Sequence, residues 1–87
     1  MEYFYCIQKE TVGGVSNEIL YIYKIDSNGN IYVPIWDNGL QCISTWPKYE
    51  RGVHMPLYIY SKYVKSSLKE IQRLINSKKY RLYRWYG

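Results

Sequence analysis

The chain is poor in the side chains that carry most enzyme and metal chemistry. It has one histidine, His54, and two cysteines, Cys6 and Cys42. Two cysteines cannot build the multi-bridge framework of a small secreted module, and neither stands in a C-x-x-C pair of the kind that binds metal or performs redox chemistry. We therefore interpret both as buried, reduced thiols, and we predict no metal site and no cofactor.

Three arrangements that resemble functional sites have simpler explanations. A Cys–His dyad needs a thiol in an electropositive, partly exposed setting, whereas both cysteines fall in apolar predicted strands. Asp26, Asn28 and Asn30 alternate like the start of a calcium loop, but the glycine is misplaced and no glutamate closes the loop. The pair Gly13-Gly14 belongs to no Walker or G-x-G-x-x-G pattern. We predict that the protein is not an enzyme.

The sequence also lacks a long apolar run. No stretch approaches the roughly 18 apolar residues that span a bilayer, and the first residues have neither the positive flank nor the long apolar core of a signal peptide. We therefore expect a cytoplasmic protein with no membrane partner. Alanine is absent and lysines are twice as numerous as arginines, a bias typical of AT-rich coding DNA in low-GC bacteria and their phages.

Acidic residues are scarce in the second part of the chain. Residues 1–50 contain three lysines and six acidic residues, whereas residues 51–87 contain nine basic residues and a single acidic one, Glu70. The net charge is therefore −3 for the first part and +8 for the second, within a total of +5. Such a division produces an electropositive end that attracts phosphates or an acidic protein surface.

Aromatic residues, in contrast, are abundant. Twelve tyrosines, three tryptophans and one phenylalanine make up 18% of the 87 residues. A chain of this length forms one domain, residues 1–87, and its core is too small to hide so many rings. We expect several of them at the surface, where they suit recognition of a partner.

One helix is strongly indicated near the C-terminus. Ser67 is a good N-cap, and Glu70 completes a Ser-x-x-Glu capping box, so the helix should begin near Leu68. Helical spacing places an apolar stripe on one face: Leu68, Ile71, Leu74 and Ile75. Lys78 and Lys79 should occupy the last turn, where cations interact well with the helix dipole. The aromatic segment 80–86 should then form a final strand.

Alternation and turn residues predict the rest of the sheet. Strands are expected at residues 3–9, 19–25, 31–36, 40–46 and 57–64, the last of which also has helical spacing. Residues 11–18 should form a flexible loop, whereas residues 26–30 and 37–39 should form hairpin turns that join three strands into a meander. Pro34 predicts an edge strand or a bulge. Residues 47–56 should form an irregular connection.

Together these elements predict an α+β fold. We expect a mainly antiparallel, meander-rich sheet of four to six strands, with one C-terminal helix packed on one face and a final strand returning to the sheet. Exposed rings and an unpaired strand edge would also allow a homodimer.

Basic and aromatic side chains are interleaved in the last third of the chain. Cations neutralise phosphates and aromatic faces stack on bases, so this mixture is typical of nucleotide and single-strand binders. The predicted ligand-binding residues are Lys62, Lys65, Lys69, Arg73, Lys78, Lys79, Arg81, Arg84, Tyr83 and Trp85. Arg81 and Arg84 would face opposite sides of a regular strand, which counts against a shared ligand unless the strand is bulged or exposed. The alternative interpretation is a solvated helix face beside rings that fill the core.

Two functions fit these features. The first is a non-catalytic protein that binds a phosphate-bearing ligand, either a nucleotide signal or nucleic acid. The second is a protein-interaction module, such as a phage-encoded inhibitor that masks an acidic surface of a host defence enzyme. The first hypothesis requires that the cations and ring faces of the last third point outward together.

Overall fold

The computed structural model describes residues 1–49 and 62–85 and confirms the α+β class. These residues form a five-stranded sheet, a separate two-stranded sheet and one helix. In chain order the elements are β1 (Glu2–Val12), β2 (Val15–Ile25), β3 (Ile31–Tyr32), β4 (Ile35–Asp37), β5 (Cys42–Thr45), β6 (Val64–Ser66), α1 (Leu68–Asn76) and β7 (Arg81–Leu82). His54 lies outside the described residues, as do residues 57–61 of the predicted strand 57–64. The last residue of that predicted strand, Val64, begins β6.

The main sheet has the order β3-β2-β1-β6, and these neighbours are antiparallel. β7 joins the same sheet parallel to β2. β3 pairs with Lys24 and Ile25, whereas β7 pairs with Ile19 and Leu20. β3 and β7 therefore divide the edge of β2 that faces away from β1.

β1 and β2 form one long hairpin, so the flexible loop predicted for residues 11–18 is wrong. The antiparallel register continues to the pair Val12 and Val15, and only Gly13 and Gly14 form the turn. Their φ angles of 59° and 80° are both positive, as a type I′ turn requires, and this turn matches the twist of the flanking strands. Because residues 9–18 are all exposed, the end of the hairpin projects from the sheet as an arm.

The core lies on both faces of the main sheet. On one face Leu20 and Ile22 pack with Ile71 of the helix, and all three are at most 1% exposed. On the other face the cluster of buried residues consists of Cys6, Ile19, Tyr21, Tyr23, Val33 and Trp85. The alternation predicted for the first two strands is therefore confirmed, since successive residues of β2 enter opposite clusters.

The helix begins where the sequence predicts it. The Ser67 hydroxyl accepts a hydrogen bond from the backbone N–H of Glu70 at 3.2 Å. The Glu70 carboxylate accepts hydrogen bonds from Arg73 instead of completing the capping box. The helix ends at Asn76 with Ser77 as its C-cap, so the predicted position of Lys78 in its last turn is wrong.

The apolar stripe of the helix is narrower than predicted. Ile71 is fully buried, and Leu74 and Ile75 pack against its cluster. Leu68, in contrast, is 47% exposed. Lys79, like Lys78, follows the helix and is exposed.

The predicted strand 31–36 is divided in two. Its two parts belong to different sheets, so the predicted three-strand meander is also divided. β3 ends before Val33, whose N–H donates to the carbonyl of Pro47 at 3.1 Å. Pro34 follows, and the chain then forms β4, which pairs antiparallel with β5 in a separate sheet. Cys42 at the start of β5 is half-buried, so only Cys6 agrees with the prediction of two buried thiols. Both cysteines are free.

The small sheet is held against the main sheet through Trp46. The ring centroids of Trp46 and Tyr3 lie 6.0 Å apart in an edge-to-face arrangement. The Lys24 ammonium lies 4.6 Å from the Trp46 centroid, a favourable position over the negative ring face. Burial lowers the pKa of Lys24. These contacts fix where the β4–β5 hairpin stands relative to β2.

Candidate functional site

A cleft of about 1060 Å³ opens between parts of both sheets and the end of the helix. Its lining includes residues 19–21 of β2, Lys78 and residues 80–84 after the helix, and side chains of the β4–β5 hairpin. Ligand pockets typically measure about 300–1,000 Å³, so the cleft has room for a small organic molecule. The predicted final strand 80–86 contributes most of one wall, although β7 is the only regular strand in its described residues, 80–85.

Three cations line this wall: Lys78, Arg81 and Arg84. All three side chains are exposed, and none of their charged groups has a hydrogen bond or ion pair within residues 1–49 and 62–85. Glu10 is the acidic residue in the described lining. The wall therefore carries an excess of positive charge that the described residues do not neutralise.

The short β7 explains why both arginines reach the cleft. Pairing with β2 is regular for Arg81 and Leu82, and the Tyr83 N–H then donates to the Leu20 carbonyl at 3.0 Å. Beyond this point the strand ends, so the two-residue alternation no longer fixes where Arg84 points. The predicted conflict between Arg81 and Arg84 is thereby resolved, because both line the cleft.

A second part of the lining was missed by the sequence analysis. It consists of Trp36, Asn38 and Gln41 from the β4–β5 hairpin. The turn between these strands is closed by Asp37, whose carboxylate accepts from the N–H of Leu40 at 2.9 Å. Gln41 donates through Nε2 to the Asn38 carbonyl at 2.6 Å. No local sequence pattern identifies this wall, because its position depends on how the two sheets are arranged.

Two residues of the lining have left-handed backbone conformations. Gln41 has a φ of 53° and Lys78 a φ of 58°, and they are the non-glycine residues with positive φ in the described ranges. This conformation costs roughly 1–2 kcal/mol for a residue with a side chain. Such strain concentrates at functional sites, where the surrounding structure maintains it. One strained residue lies in each wall of the cleft.

Tyr83 and Trp85 point inward, contrary to the expectation of outward ring faces. Tyr83 is half-buried, and its ring contacts that of Tyr21. Trp85 is only 5% exposed and packs edge-to-face against Tyr83 with centroids 5.1 Å apart. Its indole N–H has no hydrogen-bond partner in the described structure. Tyr83 still borders the cleft, whereas Trp85 belongs to the core.

The remaining predicted site residues lie away from the cleft. Lys65 forms an ion pair with Glu2 at 3.1 Å. Arg73 donates through Nε to Glu70 at 3.0 Å. Exposed cations outside the described lining complete the set: Lys62, Lys69 and Lys79. The cleft thus brings together four of the ten predicted residues, namely Lys78, Arg81, Tyr83 and Arg84.

Titratable groups with shifted pKa values lie in other places. Burial raises the pKa of both Cys6 and Tyr63. Asp26 has its pKa lowered to about 2, mainly by hydrogen bonds from Asn30. The Asp26 carboxylate also accepts from the N–H of Asn28 at 2.9 Å and from the Tyr32 hydroxyl at 3.0 Å. These bonds form the predicted turn, and no group of three metal-ligating side chains occurs among the described residues.

Comparisons with protein-family models, curated proteins and solved structures found no match. Within residues 1–49 and 62–85, no helix has the length and apolar character needed to cross a membrane.

Proposed function

We propose that the protein binds a phosphate-bearing ligand in this cleft. The observation that carries the proposal is the convergence of Lys78, Arg81 and Arg84, without acidic partners in the described structure, on a cleft that also has aromatic walls. Arginine guanidinium groups match phosphate oxygens in a bidentate geometry, and lysine adds a point charge. The proposal is for binding without catalysis, in the cytoplasm.

The site is smaller than the one predicted from the sequence. The prediction placed eight cations and two rings on one surface, whereas the cleft gathers three of those cations and Tyr83. The aromatic contribution comes instead from Trp36, Tyr80 and the Tyr21–Tyr83 pair. The requirement that the rings of the last third face outward is not met, because Trp85 is buried and Tyr83 packs on Tyr21. The proposal therefore depends on the cleft and not on the whole basic face.

Calorimetric titration tests the proposal with ATP and with a twelve-nucleotide oligothymidine as probes. A cleft variant combines Arg81→Gln with Arg84→Gln, and a control variant combines Lys62→Gln with Lys69→Gln. Both variants lose two charges from exposed side chains. Loss of charge-assisted hydrogen bonds should weaken phosphate binding by about tenfold or more, and only in the cleft variant. Equal weakening in both variants, or no binding of either probe by the wild type, contradicts the proposal.

The arm of the β1–β2 hairpin favours a second candidate, the protein-interaction module. Val12 and Val15 flank its turn and are 63% and 61% exposed. Apolar side chains at a projecting tip are suited to contact a protein surface. A pulldown from nuclease-treated bacterial lysate should then recover a stoichiometric partner with the wild type, but not with a Val12→Ser, Val15→Ser variant. Recovery by both proteins, or by neither, rejects this candidate.

A further inference from the structure

We infer that the ligand is a single nucleotide whose polyphosphate lies on Arg81 and Arg84 and whose base stacks on Trp36. This inference rests on the proposed function and names the ligand class for the same cleft. It also assigns a role to Trp36 of the small sheet, which is not among the ligand-binding residues predicted from the sequence.

The two walls of the cleft have different chemistry. The wall built around β7 supplies cations, as described above. The wall from the β4–β5 hairpin supplies the half-buried indole of Trp36 and the side-chain amides of Asn38 and Gln41. An indole offers a face for base stacking, and amides offer paired donors and acceptors of the kind that recognise base edges. A ligand that uses both walls must therefore carry an anionic end and a flat, polar-edged aromatic end.

The amides of this wall retain free hydrogen-bonding capacity. Gln41 uses Nε2 in its bond to the Asn38 carbonyl, which leaves its Oε1 as an acceptor. The Asn38 side chain has no hydrogen bond within the described part of the chain. These groups can pair with a base without breaking a bond that holds the hairpin.

The distribution of charge favours a nucleotide over nucleic acid. A single-strand binder needs a positive groove that follows the backbone over several nucleotides. Outside the cleft, however, Lys65 and Arg73 are paired with Glu2 and Glu70, which removes two of the charges that such a groove would use. Three cations and one carboxylate line the cleft, which suits the few charges of one polyphosphate.

The backbone strain described above is present in both walls. Gln41 belongs to the hairpin wall and Lys78 to the cationic wall. Each strained conformation holds a side chain at the border of the same cleft.

Fluorine NMR of the protein labelled with 5-fluorotryptophan tests the inference directly. The chain has three tryptophans, of which Trp36 alone lies in the described cleft lining, whereas Trp46 contacts Lys24 and Trp85 is buried. ATP should shift the Trp36 signal and leave the other two in place. Inorganic tripolyphosphate should bind more weakly and leave all three signals unshifted. The Trp36→Phe variant assigns the signal by its disappearance.

Calorimetry on a Trp36→Leu variant provides the energetic test. Loss of base stacking should weaken ATP binding by about fivefold to a hundredfold and leave tripolyphosphate binding within about twofold. Trp36→Phe retains an aromatic face and should lose less affinity than Trp36→Leu. If the leucine variant does not fold, the NMR shifts and the phenylalanine variant still decide the question.

Failure of this inference differs from failure of the proposed function. If tripolyphosphate binds as tightly as ATP, and ATP leaves the Trp36 signal unshifted, the base contact is wrong while phosphate binding stands. If oligothymidine binds more tightly than ATP and its affinity rises with length, the ligand is nucleic acid and the single-nucleotide inference is overturned. If no phosphate-bearing probe binds, the proposed function fails as well.

Discussion

The ring of Tyr83 lies on the ring of Tyr21, with centroids 4.5 Å apart and planes inclined by 30°. Tyr21 is a buried residue of β2, and Tyr83 stands between the two arginines that line the cleft. The contact therefore attaches the cationic wall to the most buried strand of the sheet.

Replacement of Tyr83 should separate anchoring from direct ligand contact. Tyr83→Ala removes the aromatic pair and should lower the free energy of unfolding by at least about 1 kcal/mol. ATP binding should weaken too, because the arginines lose their support. Tyr83→Phe keeps the ring and should preserve both properties. Thermal unfolding and calorimetry measure the two effects, and equal loss of binding in both variants would show instead that the hydroxyl contacts the ligand.

Lys78→Gly should increase stability and reduce binding. The left-handed backbone at Lys78 is strained for lysine but not for glycine, so the free energy of unfolding should rise by about 1 kcal/mol. ATP binding should fall because the ammonium group is lost. Lys79→Gly is the matched control, since the neighbouring position has no positive φ and glycine there should slightly destabilise the protein. Urea unfolding that gives the same sign for both variants contradicts the interpretation of strain.

Two leucine-sized side chains of the helix should differ strongly in their contribution to stability. Ile71 is fully buried, so Ile71→Ala should cost about 2–5 kcal/mol of unfolding free energy. Leu68 is 47% exposed, and Leu68→Ala should cost less than about 1 kcal/mol. Denaturant midpoints at constant m-value provide the comparison. Similar losses of unfolding free energy in the two variants would instead support the full four-residue stripe predicted from the sequence.

Acid should weaken the turn that follows β2. The folded pKa of Asp26 is about 2, below its ordinary value of 3.8, so the unfolded chain takes up the proton first as the pH falls. The stabilisation from this carboxylate is complete above about pH 4 and disappears toward about pH 2. Asp26→Asn should lower stability at pH 7 and flatten the profile in this window.

A second variant confirms the origin of this pH dependence. Tyr32→Phe removes one hydrogen bond to Asp26 and should produce a smaller change in the same direction. Thermal unfolding monitored by circular dichroism between pH 2 and pH 7 measures both profiles. An unchanged profile in Asp26→Asn would assign the acid sensitivity to other groups.

The two thiols should react at very different rates. Cys6 is 3% exposed and burial raises its pKa, whereas Cys42 is half-buried in the small sheet. Under native conditions a thiol reagent such as dithiobis-nitrobenzoate should modify Cys42 alone, because attack requires an accessible thiolate. Unfolding in urea should release the second equivalent. Rapid modification of a Cys42→Ser variant without denaturant would show that Cys6 is accessible.

Regular features of the fold were predictable because their signals are periodic. The strand predicted for residues 3–9 is confirmed in β1, where Tyr3 and Tyr5 enter one cluster and Phe4 and Cys6 the other. Ser67 likewise predicted the start of the helix. These signals are local, so a single sequence contains them in full.

The errors arose where distant segments meet or where one residue pattern has two meanings. Gly13-Gly14 fits a loose loop as well as a two-residue turn, and only pairing over the whole hairpin selects the turn. The parallel contact between β7 and β2 joins residues such as Ile19 and Arg81, for which the sequence offers no pattern. The second wall of the cleft depends on the same long-range arrangement, so Trp36 could not be assigned to it.

The pairing of β1 with β2 also sets the order in which the molecule can assemble. Hairpins between adjacent segments close in about 1–10 μs, so this one can form before the rest of the chain has folded. The contact of Ile19 with Arg81 must instead close a much longer loop, at a greater entropic cost. We therefore expect the cationic wall to join the hairpin after the hairpin has closed.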